Sequence, residues 1–95
     1  MARVTVTPRA ETDLEEIWLT LALENPSAAD KLLRRIASKL ERLAEFPEMG
    51  SSRPEVAPSA KILVEGNYLI LYEPAGNDIE VVRVVHGARD LRDLF

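Results

Sequence analysis

From Arg3 to Thr7 polar and apolar residues alternate, in a run rich in β-branched side chains. Period two with that composition predicts a short strand. Thr7-Pro8 then supplies a helix start: a threonine oxygen can accept from a free N–H of the first turn, and proline presets φ for the first helical position. The period changes to that of a helix, with Ala10, Leu14, Ile17, Trp18 and Leu21 on one stripe. Glu11, Asp13, Glu15 and Glu16 crowd its first turns, where the helix dipole favours acids. Asn25-Pro26 ends this helix and starts another, as N-cap and first residue. The second helix is predicted from about Pro26 to Phe46, its apolar stripe being Ala29, Leu32, Leu33, Ile36, Leu40 and Leu43. Lys31, Arg34, Arg35, Lys39 and Arg42 line its other faces, so a net basic helix follows a net acidic one. The short link predicts an αα-hairpin, in which that contrast helps.

Phe46-Pro47 stops the second helix, and the proline-rich stretch 47–58 predicts a loop. Ala60 to Glu65 and Tyr68 to Glu73 read as strands joined by the hairpin signal Gly66-Asn67. A second turn, Pro74-Ala75-Gly76-Asn77, leads into Asp78 to His86, whose valines occupy both faces and so predict an internal strand. Gly87 to Phe95 reads as a helical turn or a tail. The order β-α-α-β-β-β predicts an α+β fold over a single domain, residues 1–95. A two-helix hairpin packs on one face of a small, mainly antiparallel, four-stranded sheet and leaves the other face less protected.

Hydrophobic residues make up 46% and charged residues 29% of the chain, enough to bury one core. There is no cysteine, which excludes a disulfide framework, a zinc–thiolate site and a Cys nucleophile. No paired histidines and no HExxH, calcium-loop, Walker or dinucleotide glycine pattern occur, so no metal and no cofactor are expected. Ser51 and Ser52 sit in a generic loop, and no catalytic residue is assigned. No apolar run approaches the ~18–20 residues of a membrane span. A chain without membrane contact, located in the cytoplasm, is expected. The net charge of −4 changes the picture more. Nucleic-acid affinity rests on phosphate neutralisation, so no direct nucleic-acid binding is expected of the chain alone.

Several stretches resemble one family. Arg83-Val84-Val85-His86-Gly87-Ala88-Arg89-Asp90 is similar to the C-terminal signature of ParE-type toxins of bacterial toxin–antitoxin modules. Pro8-Arg9-Ala10 with Asp13-Leu14-Glu15-Glu16-Ile17-Trp18 resembles the family's first helix. Asn25-Pro26 with Ala28-Ala29, and Phe46-Pro47 followed by Gly50 and Arg53-Pro54, resemble the two ends of its second. The resemblance covers nearly the whole chain and implies the RelE/ParE-like fold. It also implies the toxin of a type II system, held in a toxin–antitoxin hetero-oligomer by a ParD-like antitoxin and acting on DNA gyrase to block replication.

RelE-type relatives instead cleave mRNA on the ribosome, which needs a general base, a general acid and cations to stabilise a phosphorane. That alternative would need a cationic pocket built from Arg53, Lys61, Arg83 and His86. From Glu48 onward, however, five basic residues face eight acids. A third alternative is a degenerate toxin that only binds its antitoxin. Arg83, His86, Arg89 and Arg92 are the candidate target contacts. Arg83, among valines, either pairs with an acid, such as Glu73 or Glu65, or faces the open side of the sheet and touches a partner, because an unpaired buried arginine is costly. His86 reads as a polar contact or a general acid/base at the end of the last strand, or as a strand-end structural residue. Trp18 is expected in the core. Leu19, Leu21 and Leu23 form a broad apolar surface, the candidate groove for an antitoxin helix.

Overall fold

The computed structural model describes residues 1–87. Both predicted caps are made. The Thr7 hydroxyl accepts from the Ala10 N–H at 3.1 Å and opens α1 (Pro8–Ala22). The Asn25 side-chain oxygen accepts from the Ala28 N–H at 3.1 Å and opens α2 (Pro26–Glu45). A proline follows each cap, where its missing N–H removes a donor that would otherwise be orphaned. The link between the helices is three residues long, so they fold back as a hairpin.

The sheet has five strands: β1 (Val4–Val6), β2 (Ser51–Ser52), β3 (Lys61–Glu65), β4 (Tyr68–Ala75) and β5 (Asp78–His86). Their order is β1-β5-β4-β3-β2; β1 runs parallel to β5 and the other pairs are antiparallel. The expected internal position of Asp78–His86 is borne out. The expected four strands are corrected to five, because Ser51 and Ser52 of the expected loop pair with Ile62 and Lys61. Two serines carry no apolar alternation, so this edge strand has no signature in the sequence. Gly66-Asn67 and Gly76-Asn77 each close a two-residue hairpin, with φ of +58° at Gly66 and +66° at Gly76. Positive φ at the first central position alone is the type II′ pattern, which glycine adopts without a steric penalty.

The helical hairpin covers one face of the sheet. Ala10, Leu32, Ile36 and Leu43 meet Leu63, Ile70, Tyr72, Ile79, Val81 and Val84 there, and Leu14, Ile17, Leu21 and Leu40 pack at the margin. Fully buried aliphatic residues such as Leu43, Ile70 and Val81 each contribute about 1.5–3 kcal/mol. The opposite face is not bare: Val56 and Ala57 of the preceding loop join Ala60, Ile62, Leu69 and Leu71 in a second, smaller cluster. The Tyr72 hydroxyl ties down the chain after α2, accepting from the Gly50 N–H at 2.9 Å and donating to the Pro47 carbonyl at 3.1 Å. Burial raises the Tyr72 phenol above its usual range.

Alternation along β5 is broken once. Tyr72 lies opposite Val81 and Leu71 opposite Arg83, so Val82 is the extra residue of a bulge. Val81 and Val84 therefore both point to the helices, and Arg83 does not share the face of Val81 as strict alternation would have it.

Candidate functional site

β1 covers β5 only along Ile79–Val81. Thr7 continues that edge, its N–H bonding to Val81 O and its hydroxyl to Val82 O. Beyond it α1 takes over with one side chain. Asp13 Oδ2 accepts from Arg83 Nε at 2.7 Å and from the Val84 N–H at 3.0 Å, and its Oδ1 accepts from Arg83 Nη2 at 3.1 Å. Both side chains are buried, 5% exposed for Asp13 and 8% for Arg83. A two-pronged arginine–carboxylate contact with a backbone N–H added uses the acid on both oxygens. This pair locks the first helix to the last strand.

The pair bears out an acid partner for Arg83 and corrects which acid it is. Arg83 takes neither Glu73 nor Glu65 but Asp13, seventy residues away in sequence. With its guanidinium enclosed there, Arg83 is not available as a target contact. The signal for Asp13 was present in the sequence: position 13 falls three residues after Ala10 and next to Leu14, on the apolar stripe of α1.

Lys61 and Arg53 are paired as well. Lys61 Nζ donates to Glu48 Oε2 at 2.7 Å, which holds the ammonium charged beyond its usual range. Arg53 Nε stands 3.9 Å from Glu55 Oε1. His86 is exposed at the end of β5 and meets Tyr68 edge-on, ring centroids 5.5 Å apart. It borders a depression of ≈300 Å³ shared with Asp13, Glu16 and Tyr68. Arg89 and Arg92 lie outside the described residues. Among the described residues no group of three His, Cys, Asp or Glu could hold a metal ion, and no helix is long and apolar enough to cross a membrane.

On the outer side of the hairpin, Leu19 is 58% and Leu23 88% exposed. Leu21 turns inward and packs against the core. Trp18 is not in the core as expected; it is half-buried, and its indole N–H donates to Asp30 Oδ1 of α2 at 2.9 Å. That bond clips the two helices together from outside. Trp18, Leu14, Leu19 and Leu33 line an apolar groove of ≈470 Å³. An indole with its polar end satisfied and its ring in a groove is the kind of surface that anchors a partner side chain.

The family model described as the ParE toxin of the type II toxin–antitoxin system parDE matches residues 4–91. Toxin ParE1 of Mycobacterium tuberculosis is 32% identical over 92 residues, which span 95% of this chain and 94% of that protein. Toxin RelE2 of Caulobacter vibrioides is 35% identical over 89 residues, 94% of this chain and 99% of its own length. A solved structure described as the chromosomal ParDE TA system from P. aeruginosa superposes with a TM-score of 0.76 at 22% identity, covering 90% of this chain and 96% of that one. That likeness is one of fold.

Proposed function

Because the chain belongs to the ParE toxin family of type II toxin–antitoxin systems, we propose that it arrests growth by binding a protein target, DNA gyrase, rather than by cutting RNA. The observation that carries this choice is the pairing of cations on the sheet side. An RNase reading needs Arg53, Lys61, Arg83 and His86 as free groups around a phosphorane. Instead Arg83 is enclosed by Asp13, Lys61 is bonded to Glu48 and Arg53 stands beside Glu55.

The antitoxin site of this reading is the outer face of the hairpin. Leu19, Leu23 and the Trp18 groove offer apolar anchors at helical spacing, which suits an amphipathic helix of a ParD-like antitoxin. The solved ParDE system supports a partner of that kind. Target contact is assigned to the far end of β5, to His86 and to Arg89 and Arg92 beyond it. Two separate surfaces make a separable prediction. A chain cut after Ala88 should lose growth arrest when expressed without antitoxin, yet still bind the antitoxin, because the hairpin is untouched. Full toxicity of the shortened chain would remove the terminal segment from the mechanism.

A further inference from the structure

Basic residues on the two sides of this molecule are treated differently. Arg9, Arg53, Lys61 and Arg83 each stand 3.9 Å or less from a carboxylate. Among the described residues none of Lys31, Arg34, Arg35, Lys39 and Arg42 has such a partner, and all five sit on α2. With Ser38 they recur at intervals of three and four, so they share one side of the helix. Together they line a groove of ≈570 Å³ between α2 and the sheet, whose far wall carries Met49 and one acid, Glu65. None of the three acids of α2 lines this groove: Asp30 is bonded to Trp18, Glu41 lines a different depression with Leu40 and Val4, and Glu45 is the last residue of the helix. The net charge of −4 thus averages an acidic surface with a strongly basic one.

We propose that this side of α2 docks the phosphate backbone of duplex DNA. The cationic stretch from Lys31 to Arg42 is about 16 Å long at 1.5 Å per residue. One DNA strand carries a charge every ~3.4 Å of axis, so that length runs beside about four or five phosphates. Arginines, lysines and a hydroxyl are the side chains that hold phosphate oxygens. An acidic peptide fits less well, since peptide ligands rely on apolar anchors and only Met49, 37% exposed, offers one. A single strand fits less well too, because among the described residues no aromatic side chain lines the groove for base stacking. The contact is one of grip without sequence reading, and it stands whether or not gyrase is the target.

The experiment is fluorescence anisotropy of the full chain with a labelled short DNA duplex, at salt from about 50 to about 200 mM. The expected log–log slope is about −4, a loss of roughly two hundredfold across that range. Arg34→Gln with Arg35→Gln should weaken binding at least tenfold at low salt and bring the slope to about −2. Arg3→Gln removes an exposed cation elsewhere and should change affinity less than twofold, which separates the groove from net charge. Melting temperatures should match the parent, since both arginines are exposed. No duplex binding at low salt, an unchanged slope in the double variant, or tighter binding to single-stranded RNA or polyglutamate would overturn the proposal.

Discussion

Replacing Asp13 by alanine removes, in one step, both acceptors of the Arg83 guanidinium and the acceptor of the Val84 N–H. Arg83 then stays buried with an uncompensated charge. Among the described residues no carboxylate other than Asp13 lies within 4.0 Å of its guanidinium. Breaking a buried ion pair from one side costs about 3–5 kcal/mol. Solvent screening reduces this little, because both side chains are more than nine-tenths buried. Against a typical total of about 5–15 kcal/mol, such a loss brings the fold close to its limit. In a chain of this size it lowers Tm by at least about 12 °C. The double variant Asp13→Leu with Arg83→Met removes both charges and keeps side-chain volume. It should recover most of the loss, leaving about 1–3 kcal/mol for the orphaned Val84 N–H. Urea unfolding followed by Trp18 fluorescence measures all the variants, and the cycle closed with the two singles isolates the coupling. A cost below about 1 kcal/mol for Asp13→Ala, or a double variant as unstable as the two singles added, would refute the assignment of this pair as the lock between α1 and β5.

Three further outcomes follow from single contacts. Leu19→Asp with Leu23→Asp should weaken antitoxin binding at least tenfold by calorimetry and leave Tm within a few degrees, since both side chains are exposed. A methyl on Gly50 would meet the Tyr72 ring and, at 2.8 Å, the Ile62 carbonyl, so Gly50→Ala should cost about 1–3 kcal/mol in urea unfolding. Tyr72 is raised in the folded state by burial, so the fold favours its protonated form. Its contribution is complete below the unfolded tyrosine pKa of ~10 and is lost as pH rises above it. Stability should therefore fall above pH ~10, and Tyr72→Phe should flatten that fall.

Local signals carried most of the fold. Thr7-Pro8, Asn25-Pro26 and Gly66-Asn67 each act through residues within three positions of one another and stand where they are read, whereas the turn expected over Pro74-Ala75-Gly76-Asn77 narrows to Gly76-Asn77 because β4 stays paired through Ala75. What could not be read locally involved distant partners. Asp13 stands on the apolar stripe of α1, but nothing local names its partner, an arginine seventy residues away. A bulge at Val82 shifted the side-chain alternation of β5, and no residue there marks it. Ser51 and Ser52 become a strand because β3 presents an edge to them, not through any pattern of their own. Trp18 sits on the apolar stripe of α1, but the hydrogen bond to Asp30 holds the indole at the hairpin's outer face. Net charge, a sum over the chain, could not show that five cations without an ion pair among the described residues share one side of α2.

The proposed mode of action is binding to a protein target without cleavage of RNA. Its most direct measurement sets the purified chain, in one preparation, against a gyrase supercoiling reaction and against mRNA on programmed ribosomes. The paired state of Arg53, Lys61 and Arg83 predicts inhibition of supercoiling that saturates near stoichiometric toxin, with the mRNA left intact. Cleavage of ribosome-bound mRNA at catalytic amounts of toxin, with supercoiling unaffected, would contradict it.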